Sequence, residues 1–249
     1  MTSLDAVAVT HRGHVRDHNE DTVAIGGFLS NAHEGTPVTL TVTTDRPVAC
    51  LIADGLGGHQ AGERASVAAT RYLADAFTRF GDPDSVQAAV RKAGEVVRQE
   101  AGWSPSWAGM GTTVVATVFA AGQVICVNVG DSRCYQLADG TLVAVSTDDS
   151  PPLLPGADPD AVVTRVTQSL GGGGDADVDP HVWTGTATAG DQFLLCSDGL
   201  TDYVSLDDIE AALRTAGADA PGAVEALLDA ALAAGGKDNI SIMLVTVRA

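Results

Sequence analysis

Apolar residues change their spacing several times along this 249-residue chain, and the order of those changes restricts the fold more than any other feature. Strand-like segments come first, at 4–10, 21–29 and 36–53, and two helical stripes follow at 63–80 and 84–101. Further strands, two more helices and a final strand complete the order. Because strands and helices are grouped and do not alternate one by one, we expect an α+β fold with antiparallel sheets and outer helices.

Local patterns make that expectation specific at several places. Residues 36–53 alternate well enough to predict a hairpin that ends at Asp54. Asp84 or Ser85 is expected to cap the second helix, and the last helix is expected to open at Pro221. Asp54 is thereby placed where a buried strand ends and a glycine-rich turn leads into a helix.

The charge balance limits the partners. Lys and Arg total 14 against 32 Asp and Glu, which gives a formal net charge of −18. A field of that sign repels nucleic acid and anionic membranes, so neither is expected as a partner. The sequence has no apolar run of the roughly 18 residues that a membrane span needs, and no signal-peptide pattern at its start. We therefore expect a soluble, cytoplasmic and monomeric protein.

The four cysteines are also consistent with a cytoplasmic protein. Cys50, Cys126, Cys134 and Cys196 lie mostly within apolar, strand-like segments and show no paired spacing. Such cysteines are expected to be buried thiols in a reducing compartment, and not disulfides or zinc ligands.

Acidic residues recur where apolar strands begin or end. Asp54, Asp131 and Asp198 each follow such a strand beside a glycine, and Asp238 precedes the last strand. Each one alone is explained by turn chemistry, because Asp-Gly and Gly-Asp are common turn dipeptides. If the strand ends converge, however, the carboxylates share a small volume and cannot all stay ionised without cations.

The ligand types suggest which cation would bind. All candidate donors are oxygens, which favours Mg²⁺ or Mn²⁺. Gly55 leaves room for its backbone carbonyl to approach a metal closely. Two such ions about 3.5–4 Å apart, bridged by one carboxylate, can activate a water and neutralise a phosphoryl oxygen. Asp54 is the candidate bridge.

Six motifs then resemble a known family in order and spacing. The chain resembles the bacterial form of the metal-dependent serine/threonine protein phosphatases of type 2C from about residue 5 to 247. The motifs are "RDHNED" (16–21), "ADGLGGHQAGE" (53–63), "GMGTT" (109–113), "VGDSR" (129–133), "LLCSDGLTD" (194–202) and "KDNIS" (237–241). The resemblance implies a four-layer αββα sandwich, with two antiparallel sheets flanked by helices.

The resemblance also implies roles for particular residues. Arg16, Asp54, Asp198 and Asp238 are the expected catalytic residues, and Arg16 is expected to bind the substrate phosphate. A plainer role for Arg16 is a surface ion pair with Glu20. The expected metal ligands are Asp54, the Gly55 carbonyl, Asp198 and Asp238 for two central ions, Asp131 with Asp198 and Asp202 for a weaker third ion, and Glu20 and Asp21 through metal-bound waters.

The implied reaction is direct hydrolysis of phosphoserine and phosphothreonine on proteins, opposing a serine/threonine kinase. A metal-bridging hydroxide attacks phosphorus in line, so the enzyme needs no nucleophile of its own. Cys50 and Cys196 both lack the five-residue spacer and arginine of a cysteine-dependent phosphatase. Ser132 and Ser197 lack the surrounding glycines of a serine hydrolase.

The chain departs from the family pattern at two places. Leu56 stands where many eukaryotic members have a histidine suggested as a general acid. The flap, at about 147–180, is shorter than in bacterial relatives, rich in proline and acidic, although residues 1–249 are still expected to form one catalytic domain.

Three other functions compete with this prediction. A catalytically weak regulatory pseudophosphatase would lack some of the expected acids, all of which are present. A nucleotide-binding enzyme would need a glycine where Gln60 stands, and "GGKD" is not followed by Ser or Thr. A metal-dependent nuclease would need a basic groove, which the acidic composition opposes.

Overall fold

The computed structural model describes residues 1–31, 35–57, 60–79, 81–151, 166–172 and 177–249. Two six-stranded antiparallel sheets dominate this part of the chain, with strands numbered in chain order. The first sheet has the spatial order β11 (Thr141–Ala144), β10 (Arg133–Ala138), β14 (Gln192–Cys196), β15 (Ile240–Val247), β1 (Thr2–His11) and β4 (Val38–Thr44). The second has the order β13 (His181–Thr186), β9 (Gln123–Val129), β8 (Val114–Ala120), β5 (Val48–Ala53), β2 (Thr22–Ile25) and β3 (Phe28–Ser30). A small third sheet joins β12 (Leu170–Gly171), β7 (Gly111–Thr112) and β6 (Gly55–Leu56).

Five helices and one 3₁₀ turn accompany the sheets in the described ranges. They are α1 (Gln60–Ala76), α2 (Pro83–Ala101), the 3₁₀ turn Pro105–Trp107, α3 (Asp198–Thr201), α4 (Leu206–Ala216) and α5 (Ala220–Ala233). The predicted cap of α2 was wrong, because Asp82 accepts the Ser85 N–H at 2.9 Å and Pro83 opens the helix. The helix predicted to open at Pro221 begins one residue earlier, at Ala220.

Three buried layers give the order helix, sheet, sheet, helix. Leu51 and Val127 of the second sheet pack against Leu73 of α1 and Val90 of α2. Between the sheets, Phe119 and Phe193 meet edge-on with ring centroids 5.5 Å apart. On the far side, side chains of β1, β14 and β15 pack against α4 and α5. The predicted α+β class and four-layer αββα sandwich are therefore confirmed.

The hairpin predicted over 36–53 was wrong. Strand β4 pairs with β1 in the first sheet, whereas β5 pairs with β2 and β8 in the second. The chain therefore crosses from one sheet to the other at about 45–47. All six residues of β5 are buried, because a central strand of this sandwich is covered on both faces, while β4 is a half-exposed edge strand.

The segment predicted as one strand at 21–29 forms two. Strands β2 and β3 pair with each other around a turn at Gly26, which has φ +56°. Outside the described residues lie 152–165 and 173–176, which form part of the predicted flap at 147–180, and Phe80 at the predicted end of the first helical stripe.

The structure also bears on the cysteines and on membrane-spanning helices. All four cysteines are buried free thiols, as expected. None of the helices in the described ranges combines the length and the hydropathy needed to cross a bilayer.

Candidate active site

Chain segments that enter or leave the two large sheets carry the acidic residues of the site. Asp54 directly follows β5 and Asp21 directly precedes β2 in the second sheet. Asp131 comes two residues after β9, and Asp198 comes two residues after β14 and opens α3. Asp238 lies two residues before β15. Short turns at strand ends thus carry these carboxylates. If the strand ends converge as expected, the carboxyl groups should raise one another's pKa.

The carboxylates influence one another strongly. Burial raises the pKa of Asp54 well above its ordinary value, and the charges of Asp21, Asp198 and Asp238 raise it further. Burial likewise raises the pKa of Asp198, with added repulsion from Asp131 and Asp238. Like charges in a poorly solvated volume disfavour the ionised forms. We call the six mutually interacting residues Asp21, Asp54, Asp131, Asp198, Asp202 and Asp238 the acidic cluster.

Asp131 and Asp202 form the side of the acidic cluster nearest Arg133. Burial raises the pKa of Asp131 to about 6, and Asp202 adds repulsion. The pKa of Asp202 is also raised by burial, although Arg133 opposes that shift. The Arg133 Nε donates to Asp148 at 2.8 Å, while its Nη2 lies 4.0 Å from Asp202. Arg133 therefore compensates only part of the negative charge.

Asp21 is the most enclosed member of the cluster, with 0% of its surface exposed. Its Oδ2 accepts a hydrogen bond from the Ser197 hydroxyl at 3.0 Å. That hydroxyl also accepts the Ser241 N–H at 2.9 Å, so one serine joins three strand ends. Burial raises the pKa of Asp21 to about 6, although hydrogen bonds from Ser241 and Ser197 oppose the shift.

Two carboxylate oxygens of the cluster are buried without a hydrogen-bond partner in the part of the chain described. They are Oδ1 of Asp21 and Oδ1 of Asp198. A buried acceptor without a donor costs about 1–3 kcal/mol or more, so such an oxygen is suited to a proton or a cation. An all-oxygen donor set favours a hard divalent cation. The residues present therefore fit Mg²⁺ or Mn²⁺.

Two glycines permit the close packing that brings the acidic turns together. A Cβ on Gly199 would lie 2.0 Å from the carbonyl oxygen of Asn239, so only glycine lets the α3 turn touch the Asp238–Asn239 turn. A Cβ on Gly55 would lie 2.6 Å from the carbonyl oxygen of Glu20 and 2.3 Å from that of Gly62. Gly55 is therefore needed for backbone packing, in addition to any role of its carbonyl as a metal ligand.

Glu20 lies between the Asp54 turn and the start of α1. Its N–H donates to Oδ1 of Asn239 at 2.8 Å, and its carbonyl accepts the Ser66 hydroxyl at 2.6 Å. Gly62 leaves space for the Glu20 carboxylate, because a Cβ there would lie 2.4 Å from Oε2. Glu20 is therefore fixed beside Asp21, at the edge of the acidic cluster.

Arg16 pairs with a different carboxylate from the one considered in the sequence. Its Nη2 donates to Oδ2 of Asp238 at 2.6 Å, and Oδ1 of Asp238 accepts the Asn239 N–H at 2.8 Å. The structure thus brings Arg16 to the cluster by a hydrogen bond to Asp238, while the charges of Asp54 and Glu20 also act on it. Among the described residues, no three acidic, histidine or cysteine side chains are grouped closely enough to hold a metal ion. The cluster converges electrostatically, but ligation would require side chains such as Asp238 to turn.

Asn239 was quoted in a motif, but its importance was not predicted. Its Nδ2 donates to the backbone carbonyls of Arg12 and His18, at 3.0 and 2.9 Å, in addition to the Glu20 contact. One buried amide therefore attaches the loop that carries Arg16 to the turn that carries Asp238. An Asn beside an Asp before a strand is the only sequence pattern that could have indicated it.

A second group missed from the sequence lies at the base of the flap. Oδ2 of Asp149 accepts the Gly130 N–H at 2.9 Å, and its Oδ1 accepts from Gln168 Nε2 and contacts His181 Nε2, both at 2.8 Å. Asp149 is 7% exposed. We call Asp149, Gln168 and His181 the flap clasp, since it joins both ends of the flap to the residue before Asp131.

Comparison with known proteins identifies the family of this chain. Residues 35–233 match the protein phosphatase 2C family. Serine/threonine phosphatase stp of Listeria welshimeri is 34% identical over 252 residues, which cover 95% of this chain and 93% of that protein. Serine/threonine protein phosphatase PstP of Mycobacterium tuberculosis is 32% identical over 258 residues, or 98% of this chain. The chain spans 45% of the length of that mycobacterial protein.

Solved structures agree with the sequence comparisons. The crystal structure of the catalytic domain of PstP in complex with two manganese ions is 32% identical, has a TM-score of 0.77 and covers 100% of both chains. The arrangement of sheets and helices is thus shared with proteins similar in sequence over the whole fold. The chain therefore belongs to the protein phosphatase 2C family.

Proposed function

We propose that this chain is a metal-dependent protein phosphatase that hydrolyses phosphoserine and phosphothreonine on proteins. The observation that carries the proposal is that the charges of Asp198 and Asp238 act on the buried Asp54, together with a buried, unpartnered oxygen on Asp198. Membership of the protein phosphatase 2C family supports it, as do relatives named serine/threonine phosphatases.

The chain's own residues would divide the binding of the ions among them. Asp54 would lie between two central ions, and the Gly55 carbonyl, Asp198 and Asp238 would complete their protein ligands. Asp131 would hold a weaker third ion together with Asp198 and Asp202, while Glu20 and Asp21 would bind through water. When bound, Mg²⁺ or Mn²⁺ would activate the attacking water and neutralise charge on the phosphoryl group.

In this proposal, Arg16 exchanges Asp238 for the substrate phosphate. Its guanidinium, now paired with Asp238, would turn to grip two phosphoryl oxygens, and that exchange would free Asp238 for metal ligation. The loop that carries Arg16 stays in place through the Asn239 hydrogen bonds to Arg12 and His18. Substrate and ion binding are thereby expected to support each other.

The nearby thiols and the Ser197 hydroxyl are poorly suited to act as nucleophiles. Burial raises the pKa of Cys50 and Cys196 to about 12, so both thiols stay protonated at neutral pH. The Ser197 hydroxyl donates to Asp21 and is fully buried. Direct attack by water on phosphorus is therefore the expected reaction, with departure of the serine or threonine oxygen of the substrate.

Wider roles extend the same proposal. A phosphatase of this type would oppose a serine/threonine kinase and act on that kinase's substrates. The reduced, buried cysteines support a reducing compartment such as the cytoplasm. We further propose that residues 1–249 act as one catalytic domain and as a monomer.

One observation favours a second candidate, a regulatory pseudophosphatase. The Arg16–Asp238 ion pair occupies two of the proposed catalytic residues with each other. If that pair does not open, the chain binds phosphoproteins weakly or not at all and hydrolyses none. The two candidates differ in whether metal restores hydrolysis.

The test is hydrolysis of a phosphothreonine peptide and an aryl phosphate, before and after removal of metal by a chelator. We expect both activities to disappear with the chelator, to return with excess Mn²⁺, and to be absent from Asp198→Asn. A matched control is Asp191→Asn, which changes a carboxylate in a surface turn at Thr188. Activity that survives both the chelator and Asp198→Asn would rule out the metal-dependent mechanism. Folded wild-type protein that is inactive with Mn²⁺ would support the pseudophosphatase.

A further inference from the structure

The segment 11–18 is rich in arginine and histidine in a chain that is otherwise strongly acidic. It holds Arg12 and Arg16, two of the chain's 14 lysines and arginines, and His11, His14 and His18, three of its 6 histidines, beside one acid, Asp17. All of these residues except His11 are exposed. Solubility does not require such clustering in a chain with a net charge of −18. The segment thus differs in charge from the rest of the chain.

The basic segment is held firmly against the acidic cluster. In addition to the two Asn239 hydrogen bonds, the His14 N–H donates to the Gly236 carbonyl at 2.7 Å. Gly13, with φ +79°, packs so closely that a Cβ would lie 2.2 Å from the carbonyl oxygen of Asp238. A side chain at position 13 would thus separate the two segments. The positive groups therefore have a defined place relative to the site.

Lys237 extends this surface on the other side of the contact. It is exposed, and its Nζ lies 5.3 Å from the centroid of the Tyr203 ring, which follows Asp202 in sequence. A cation near an aromatic face is modestly stabilised there. We call Arg12, His14, Arg16, His18 and Lys237 the basic rim, because they are exposed and belong to the two segments that meet at Asp238.

We propose that the basic rim selects phosphorylated segments that carry further aspartate or glutamate residues beside the phosphorylated one. The inference rests on the proposed function and names the substrate class of the same site. Successive residues of an extended peptide lie about 3.3 Å apart, so residues beside a phosphate near Arg16 are expected to pass the segments that carry Arg12 and Lys237. The rim is solvated, and its charges are therefore expected to favour encounter and binding more than the chemical step.

The experiment compares three phosphothreonine peptides of equal length, with acidic, neutral amide or lysine residues beside the phosphothreonine. For the wild type, we expect kcat/KM to be about 3–10-fold higher for the acidic peptide than for the neutral one, and lowest for the lysine peptide. The difference is expected in KM and not in kcat, and to shrink at about 0.3 M salt because exposed charges are screened.

Substitutions in the basic rim test whether it causes the preference for acidic peptides. Arg12→Gln with Lys237→Gln should lose most of the preference, while hydrolysis of a small aryl phosphate changes less than about twofold because that substrate has no flanking residues. The control is Arg79→Gln, another exposed arginine, which is paired with Asp75. It lies beyond the C-terminal end of α1, about 25 Å from the start of that helix beside Glu20.

The outcomes separate this inference from the proposed function. If the wild type hydrolyses the aryl phosphate and all three peptides equally well, the inference is wrong and the phosphatase function stands. A preference that persists in the double variant also contradicts the role of the rim. If the folded wild type with Mn²⁺ hydrolyses no phosphate ester at all, the proposed function fails and the inference fails with it.

Discussion

The acidic cluster and the basic rim are neighbours, yet the chain builds them in different ways. Every member of the cluster except Asp202, which follows α3, lies within two residues of a strand end, and burial raises the pKa of carboxyls such as Asp54 and Asp198. The rim lies mostly on one exposed loop, held by Asn239. Because charge interactions weaken in water, changes in the cluster should have large effects and changes in the rim small, salt-sensitive ones.

The largest expected effect comes from removing one charge at the centre of the cluster. We expect Asp54→Asn to lower kcat for an aryl phosphate by about 10³-fold, since loss of a bridging ligand removes several kcal/mol of charge stabilisation. Asp131→Asn is the matched change at the edge of the cluster and should cost about tenfold, chiefly at low Mn²⁺. Steady-state rates over a Mn²⁺ series measure both. Equal effects of the two variants would contradict the assignment of Asp54 as the centre.

The next effect concerns the stability of the chelated protein against pH. The pKa of Asp131 is about 6 in the folded protein, against about 3.9 when unfolded, so the folded state keeps a proton that the unfolded state loses. The resulting stability is present below pH 4 and is lost as pH rises to about 6. From pH 4 to 7.5, Asp131→Asn should therefore gain about 2 kcal/mol in unfolding free energy relative to wild type.

Urea unfolding in the presence of a chelator measures that difference. Asp191→Asn, in a surface turn, serves as the control for loss of one carboxylate outside the acidic cluster. If wild type and Asp131→Asn keep a constant difference over this pH range, the carboxyl does not lie in the repulsive, poorly solvated setting described.

The flap clasp should give an intermediate effect. Asp149→Asn disturbs the hydrogen bonds to Gly130 and His181, and thereby the position of Asp131, without removing a proposed ligand. Partners of this kind typically change metal affinity by about 10–100-fold. Calorimetric titration with Mn²⁺ should show the weaker binding phase reduced. Unchanged binding by Asp149→Asn would show that the clasp does not position Asp131.

The smallest expected effect belongs to the rim. For the wild type, kcat/KM with an acidic phosphopeptide should fall about 3–10-fold between low salt and about 0.3 M salt, because the rim is solvated. The rate with a neutral aryl phosphate should change less over the same range. A salt effect of equal size on both substrates would place the screened charges in the cluster and not in the rim.

Features set by local patterns could be predicted from the sequence. Asp54, Asp131 and Asp198 follow apolar strands beside glycine, and the change from strand to helix spacing indicated both helix layers. The α+β class followed from that order alone, and the four-layer arrangement followed from the motifs. These features depend on neighbours within a few residues, which a single sequence displays.

Features set by distant partners could not be predicted. Strand β4 pairs with β1 and not with β5, a choice that depends on how two sheets stack. Asn239 bonds to Glu20, which is 219 residues away in sequence, and Asp149 contacts His181 across the flap. The ion pair of Arg16 with Asp238 likewise spans 222 residues, whereas the considered partner Glu20 was only four residues away.

The central claim is that the acidic cluster binds two divalent ions. The most direct measurement is anomalous X-ray diffraction at the manganese absorption edge, from crystals of this chain grown with Mn²⁺. We expect two strong peaks between Asp54, Asp198 and Asp238, with Arg16 turned away from Asp238, and a weaker peak near Asp131. Crystals with no peak in the cluster at saturating Mn²⁺, and with the Arg16–Asp238 pair intact, would contradict the claim.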